Sequence, residues 1–276
     1  MDKKVVLITG CSSGIGRSTA LILMEKRFSV FATARREEDL KALNDIGVEA
    51  LHLDLQDSSS VDRAVGALLE KTDGRLDVLI NNAGYAVPGA IEDLALDEIR
   101  AQFETNVFGA VNLIQQLIPV MRKQGSGRII QLSSILGIVT MPYRGAYCAS
   151  KYAIESFCDA LRMELKTSDI DVVLIEPGPI VSQFRDNARK VFEKTFAKKE
   201  GFHQEVYQSL YQQEKNRKKL PFALGPEAVV KKILLAIESK NPKPRYYITF
   251  PAYFMMSLRR ILPTSALDWV MSRLGR

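Results

Sequence analysis

The chain has 276 residues, of which 46% are hydrophobic and 25% charged, with 17 glycines and 11 prolines. This composition excludes disordered, collagen-like and other fibrous proteins, which need low hydrophobicity or a repeating glycine pattern. The formal net charge of +6 arises at the C-terminal end, where residues 240–276 hold seven basic residues and one acid. A local patch that faces an anionic partner and an ordinary solvated surface both explain such an excess.

Patterns of strands and helices alternate along the chain. A run rich in β-branched residues at 5–9 leads into a glycine-rich turn, and helical spacing follows at 18–26. Further strands are predicted at 29–34, 49–53, 78–81, 127–132, 171–176 and 245–249. The segments between them are too long for hairpins, so the strands should be parallel and covered by helices on both faces. We predict a single α/β domain over residues 1–276, with a doubly wound, seven-stranded parallel sheet of the Rossmann fold.

The cysteines and the N-terminus bear on the cellular compartment. Cys11, Cys148 and Cys158 are an odd number without a CxxC pair, so we expect no disulfide framework and no metal site. The apolar run at residues 5–8 is too short for a signal peptide. No window reaches the roughly 20 apolar residues of a membrane-spanning helix. We therefore expect a cytoplasmic protein.

Two segments depart from the common pattern. Residues 183–224 are interpreted as an insertion of amphipathic helices, which forms either a lid over a site or a surface helical pair packed on the core. Residues 251–276 form an amphipathic basic tail, which could make peripheral contact with a membrane or pack on the core or a second subunit. The aromatic and apolar residues expected on one face of the insertion are Phe184, Val191, Phe192, Phe196, Phe202, Tyr207, Leu210 and Tyr211.

A glycine-rich turn lies between the first strand and the first helix, with the sequence TGCSSGIG at residues 9–16. Its glycines allow a tight turn, close approach of a pyrophosphate and close helix packing, while the helix N-terminus offers free N–H groups to phosphate. The spacing departs from GxGxxG, and a purely structural turn is the alternative. The predicted cofactor-binding residues here are Gly10, Ser12, Ser13, Gly14, Ile15 and Gly16.

The second strand ends in Ala34-Arg35-Arg36, at the place where NAD-binding folds carry a carboxylate for the ribose hydroxyls. An arginine there can bind a 2′-phosphate through its planar fork of donors, so NADP(H) is favoured over NAD(H). The alternative is a pair of exposed arginines that begin a helix.

Tyr147 and Lys151 lie four residues apart in a segment predicted to be helical through residue 165. This spacing places both side chains on one helix face, where an ammonium group favours the phenolate. The pattern alone is common by chance. Three other motifs make the pattern stronger evidence for a ligand site, because they lie at strand ends, where doubly wound sheets bind ligands. These motifs are Asn81-Asn82-Ala83-Gly84, Ser133-Ser134 and Pro177-Gly178.

Taken in order, these motifs resemble those of the short-chain dehydrogenase/reductase family over residues 3–250. The resemblance implies that Tyr147 is the general acid, that Ser134 holds the substrate oxygen and that Asn106 keeps a water in the proton relay. It implies that Lys151 binds the nicotinamide ribose and lowers the pKa of Tyr147. Ser182 stands where the family usually has threonine, and it keeps the hydroxyl. The further implied cofactor-binding residues are Asp54, Leu55, Asn82, Ala83, Gly84, Tyr147, Lys151, Pro177, Gly178, Ile180 and Ser182, with Asn81 in cofactor binding and sheet support.

The predicted function is NADP(H)-dependent reduction of an apolar aldehyde or ketone, as in the hydroxysteroid and retinol dehydrogenase-like branch of the family. A 3-oxoacyl-thioester reductase and a non-catalytic NADP(H)-binding sensor are the alternatives. The expected partner is a small apolar carbonyl or alcohol substrate; no nucleic-acid recognition motif accompanies the basic tail. Family habit indicates a homodimer or homotetramer. The expected apolar pocket is lined by Ile135, Leu136, Met141, Tyr143 and the insertion.

Overall fold

Seven parallel strands form one sheet in the computed structural model, which describes residues 3–196, 200–216 and 221–274. The strand order is β3-β2-β1-β4-β5-β6-β7, so the chain reverses direction across the sheet between β1 and β4. This is the predicted doubly wound Rossmann fold, and the fold class is confirmed. The strands are β1 (Val5–Ile8), β2 (Ser29–Ala34), β3 (Glu49–His52), β4 (Val78–Asn81), β5 (Gly127–Leu132), β6 (Ile170–Pro177) and β7 (Arg245–Ile248).

Helices connect the strands and cover both faces of the sheet. One face packs against α3, α5 and α6, and the other packs against α1, α2 and α9. The helices are α1 (Gly14–Glu25), α2 (Glu37–Asn44), α3 (Ser58–Lys71), α4 (Leu96–Phe103), α5 (Gly109–Gln124), α6 (Gly145–Glu164), α7 (Gln183–Thr195), α8 (Gln204–Asn216), α9 (Pro226–Glu238), α10 (Phe250–Ile261) and α11 (Thr264–Leu274).

Five strand boundaries, in four strands, differ from the predicted ones. Strands β1, β3 and β7 each end one residue early, and β6 extends beyond both of its predicted ends. At β1, the hydroxyl of Thr9 accepts hydrogen bonds from the backbone N–H groups of Asn82 and Ala83, so this residue already belongs to the turn. At β7, Thr249 has a φ of 80°, which a strand does not allow.

The insertion forms α7 and α8. Phe192, Phe196 and Tyr207 are buried together against the loop that follows β4, whereas Phe202 is 92% exposed. Helices α10 and α11 form the tail, and their apolar side chains pack on the segment at residues 135–141. Residues 197–199 and 217–220 of the insertion and 275–276 of the tail lie outside the described residues. Among the helices that the structure describes, none is long and apolar enough to cross a bilayer.

Candidate active site

Helix α6 brings Tyr147 and Lys151 to the carboxyl end of the sheet. Both side chains are buried, and the ammonium nitrogen of Lys151 lies 5.8 Å from the centre of the Tyr147 ring. Lys151 Nζ donates a hydrogen bond of 2.8 Å to the carbonyl oxygen of Leu132, the last residue of β5. The predicted pairing of a phenol with an ammonium on one helix face is therefore present in the geometry.

Ser134 follows β5 directly and stands beside this pair. Its hydroxyl accepts a hydrogen bond of 3.1 Å from the N–H of Leu136, which caps the short 3₁₀ turn Ile135–Gly137. Burial raises the pKa of the Tyr147 phenol above its ordinary value, and a hydrogen bond with the Ser134 hydroxyl acts in the opposite direction. Tyr147 therefore stays protonated at neutral pH in the protein alone.

Asn106 reaches the same point from the π-helical turn Glu104–Phe108, which joins α4 to α5. Its Oδ1 accepts a hydrogen bond from Tyr85 N, and its Nδ2 donates to Tyr85 O and to Ser150 Oγ. A Cβ placed on Gly84 would lie 3.1 Å from Asn106 Oδ1 and 3.8 Å from Lys151 Nζ. Single π turns within helices occur frequently at functional sites, because they re-aim one side chain.

The glycine-rich turn fits a bound pyrophosphate. Gly14 has a φ of 56°, which favours glycine, and a Cβ on Gly16 would overlap Gly10 O and lie 2.5 Å from Asn82 Nδ2. Asn82 holds this turn by donating to Thr9 O and Gly10 O. Among the residues that the structure describes, the side chain of Ser13 makes no capping hydrogen bond at the start of α1, and N–H groups at such a helix start can bind an anion.

The end of β2 presents arginines, as the sequence predicts. Arg35 is largely exposed and lies 3.8 Å from the carboxylate of Asp54, so these two cofactor candidates are neighbours. Asp54 also accepts a hydrogen bond from Gln56 N and thereby caps its own loop. The guanidinium of Arg36 is paired with Asp39 and Glu38 in the first turn of α2.

The remaining predicted cofactor residues lie around the same edge of the sheet. Leu55 is buried, and its carbonyl oxygen lies where a Cβ on Gly109 would stand. Pro177 ends β6, Gly178 N donates to Ile248 O, and Ile180 forms an isolated bridge with Leu224. Ser182 precedes α7, and its Cβ would lie 3.3 Å from a Cβ on Gly14, which places this hydroxyl residue beside the glycine turn.

Apolar side chains from the insertion cover Tyr147. The ring of Phe184 lies 5.5 Å from the Tyr147 ring, and Ala86, Ala188 and Leu136 belong to the same cluster. The sequence pattern places Phe184 on an aromatic helix face, but it does not indicate that this ring contacts Tyr147. Of the predicted pocket residues, Ile135 and Met141 pack largely under α10 and α11.

A second set of contacts holds the insertion at a cleft of about 390 Å³, which Tyr143 and His203 help to line. His203 Nε2 pairs with the Glu92 carboxylate at 2.6 Å, and its Nδ1 lies 3.2 Å from the Tyr143 hydroxyl. The Tyr207 hydroxyl accepts from Ala90 N and donates to Asp93. These pairs join residues more than 50 positions apart, so no local sequence pattern indicates them.

The sequence profile of the short chain dehydrogenase family matches residues 4–191. The uncharacterized oxidoreductase YbbO of Escherichia coli (strain K12) is 40% identical over 98% of this chain and 94% of its own length. The 3-ketodihydrosphingosine reductase of Bacteroides thetaiotaomicron is 41% identical over 71% of this chain and 70% of its own. Human 17-beta-hydroxysteroid dehydrogenase type 1 is 34% identical over 90% and 78%, respectively.

A solved short-chain dehydrogenase from Streptomyces avermitilis superimposes with a TM-score of 0.79. It is 29% identical, and the alignment covers 99% of this chain and 95% of that one. The sheet, the order of the motifs and these matches agree. The chain belongs to the short-chain dehydrogenase family and is an oxidoreductase of its hydroxysteroid dehydrogenase-like branch.

Proposed function

We propose that the protein is an NADP(H)-dependent reductase of apolar ketones or aldehydes of the steroid, retinoid or long-chain type, with Tyr147 as general acid. One observation carries the proposal: the hydroxyl of Ser134, the phenol of Tyr147 and the ammonium of Lys151 meet at the carboxyl edge of the parallel sheet, and at this edge β1 leads through the glycine turn into α1. The apolar cluster around Phe184 lies over the phenol.

The chain's own groups serve carbonyl reduction as follows. NADPH, when bound, supplies the hydride. Ser134 and Tyr147 are placed to donate hydrogen bonds to the carbonyl oxygen as negative charge develops on it. The phenol of Tyr147 is protonated at neutral pH, so it can give its proton to the carbonyl oxygen. Lys151 holds positive charge beneath the phenol, and Asn106 would hold a water between Lys151 and solvent.

The preference for NADP(H) rests on Arg35 and on the missing carboxylate at the end of β2. Arg35 is exposed, and its planar group can bind a 2′-phosphate bidentately, whereas a carboxylate there would repel it. Asp54 beside it is available to the adenine amino group. Arg36 is the weaker candidate because Asp39 already engages its guanidinium.

The apolar class of substrate rests on the side chains above Tyr147 and on two relatives. Phe184, Ala188 and Leu136 offer the substrate no charge. One relative is named as a reductase of 3-ketodihydrosphingosine and another as a dehydrogenase of a 17-beta-hydroxysteroid, and both of these compounds have a large hydrocarbon part. We propose that α7 and α8 act as the lid over this substrate.

The tail is proposed to give peripheral membrane contact. Phe250, Phe254 and Trp269 are exposed on α10 and α11, and Arg259 and Arg260 lie on the same helices. Apolar burial and cation attraction to anionic lipid add to each other. Vesicles that contain phosphatidylserine should carry the wild-type chain into the pellet on sedimentation, but not a Phe254→Ser/Trp269→Ser variant. Wild-type protein that stays in the supernatant would refute membrane contact through the tail. A homodimer or homotetramer, as family habit implies, is tested by light scattering.

Turnover measurements test the catalytic proposal. NADPH absorbance is followed with long-chain aldehydes, steroids, retinal and acetoacetyl thioesters, and NADPH binding is measured separately by fluorescence. Tyr147→Phe should lose at least about a thousandfold in turnover while binding NADPH normally. Tyr246→Phe, which alters a tyrosine at the amino end of β7, is the matched control and should stay active.

The result also separates the alternatives. Turnover confined to the thioester would favour the 3-oxoacyl-thioester reductase. Binding of NADPH without turnover of any compound would favour the sensor, and a fully active Tyr147→Phe variant would refute the assigned role.

A further inference from the structure

Four polar residues follow one another along α6 at intervals of four: Tyr147, Lys151, Glu155 and Asp159. Residues four apart on a helix are neighbours on its surface, so these four residues lie along one face of α6. The first two belong to the catalytic group described above. The stripe therefore continues from the phenol and the ammonium into two carboxyl groups that the reaction mechanism does not use.

The carboxyl groups are closed off by a guanidinium from another element. Arg245, the first residue of β7, forms ion pairs with Glu155, with Asp159 at 2.6 Å and with Glu176 of β6 at 2.5 Å. Glu155 and Glu176 are buried, with Glu176 fully inaccessible. Within the described residues, Glu155 Oε1 and Glu176 Oε2 have no hydrogen-bond partner. Such a buried group of acids is costly unless its charge is balanced.

The location of Glu155 ties this cluster to the catalytic end of the sheet. A Cβ on Gly137 would lie 2.7 Å from Ser133 Oγ and 3.0 Å from Glu155 Cγ. Glu155 therefore lies close to Ser133, the residue that precedes Ser134. The space around Gly137 has no room for a larger side chain between them.

The charge states of Lys151 and Glu155 depend on the titratable groups that face them from α6, β6 and β7. Burial lowers the pKa of Lys151 to about 8, and the Glu155 carboxylate opposes this effect. Burial also raises the pKa of Glu155, and it raises that of Glu176 to about 8. The contact with Arg245 opposes this rise in the pKa of both acids, and the Glu155 carboxylate also raises the pKa of Glu176.

We propose that Glu155 is a positioning residue: braced by Arg245, it keeps a negative charge one helical turn behind Lys151 and so holds Lys151 as an ammonium. A buried amine without this partner would shed its proton near neutral pH. The neutral amine would no longer favour the phenolate of Tyr147. This catalytic consequence rests on the proposed function, whereas the charge state of Lys151 does not.

The test is a pH titration of Lys151 by NMR, on the whole protein labelled with ¹³C at the lysine Cε atoms. The Lys151 signal is assigned by its loss in Lys151→Met. In Glu155→Gln, its midpoint should fall by about 1 to 3 pH units, the shift that one neighbouring opposite charge typically causes. Glu155→Asp, which restores the charge on a shorter side chain, should bring the midpoint back toward that of wild type.

Asp159→Asn is the matched control, because it removes another carboxylate from Arg245 but lies two turns from Lys151. Its midpoint should match wild type. An unchanged midpoint in Glu155→Gln, or an equal fall in Asp159→Asn, would overturn the proposal. Should Glu155→Gln fail to fold, Glu155→Gln/Arg245→Gln keeps the net charge of the cluster and should show a smaller fall in the same direction, because the Arg245 cation is also lost.

The titration needs neither cofactor nor turnover. If the wild-type protein turns over none of the tested carbonyl compounds, the proposed function is refuted. The Lys151 titration midpoints then still test the role of Glu155. Turnover with equal midpoints would keep the function and refute the role of Glu155.

Discussion

Replacing Gly16 by alanine tests how closely the glycine turn is packed. The new Cβ would overlap Gly10 O and lie 2.5 Å from Asn82 Nδ2, so the amide that fastens the turn must move. Its two hydrogen bonds, to Thr9 O and Gly10 O, contribute about 1 kcal/mol each. Overpacking costs about 1–3 kcal/mol more, and the better helix propensity of alanine returns about 0.5–1. We expect the free energy of unfolding to fall by about 2–4 kcal/mol.

The matched control is Gly66→Ala, in the middle of α3. Gly66 is exposed, and a Cβ there would meet no atom within 4 Å. This change should raise the free energy of unfolding by about 0.5–1 kcal/mol. Urea unfolding measures both variants, and NADPH fluorescence measures binding, which only Gly16→Ala should weaken. A Gly16→Ala protein that unfolds and binds NADPH like wild type would refute the steric argument.

Three further predictions follow from single side chains. Arg35→Ser should weaken NADPH binding roughly 10- to 100-fold, with NADH binding unchanged, because a charge-assisted contact is lost; equal losses for both cofactors in fluorescence titrations would contradict this. Tyr207→Phe should lower the free energy of unfolding by about 1–3 kcal/mol in urea, since Ala90 N loses its buried acceptor; a stability equal to wild type would count against the contact. Because burial raises the pKa of Tyr147, alcohol oxidation should increase with pH through the neutral range, while carbonyl reduction stays flat; a pH-independent oxidation rate would exclude Tyr147 as the base.

The strands could be predicted because parallel sheets are buried on both faces and therefore need continuous apolar runs. Strands β2, β4 and β5 have the predicted bounds. The errors occur where tertiary contacts end a strand. Thr9 leaves β1 because its side chain bonds the loop after β4, and Thr249 leaves β7 with a positive φ beside Gly178. Neither effect is encoded by the propensity of the residue itself.

The candidate site could be predicted where it is local. The helical interval between Tyr147 and Lys151, and the strand ends that carry Asn82 and Ser134, follow from periodicity and from the rule that such sheets bind ligands at their carboxyl edge. Residues that approach from distant segments could not be predicted in this way. The ring of Phe184 covers Tyr147 because α7 folds back over α6, and only the three-dimensional path of the insertion decides that contact.

Glu155 illustrates why residues that depend on distant partners cannot be predicted from the sequence. A glutamate four residues after a lysine on an amphipathic helix normally indicates a solvated face, since acids are rarely buried without a partner. Here the partner is Arg245, 90 positions later, and the two meet because α6 packs against β6 and β7 lies next to β6 in the sheet. Burial of the acid and burial of Lys151 are thus one feature of the fold: the strand that brings the guanidinium makes the carboxylate tolerable, and the carboxylate makes a buried ammonium tolerable beside the phenol.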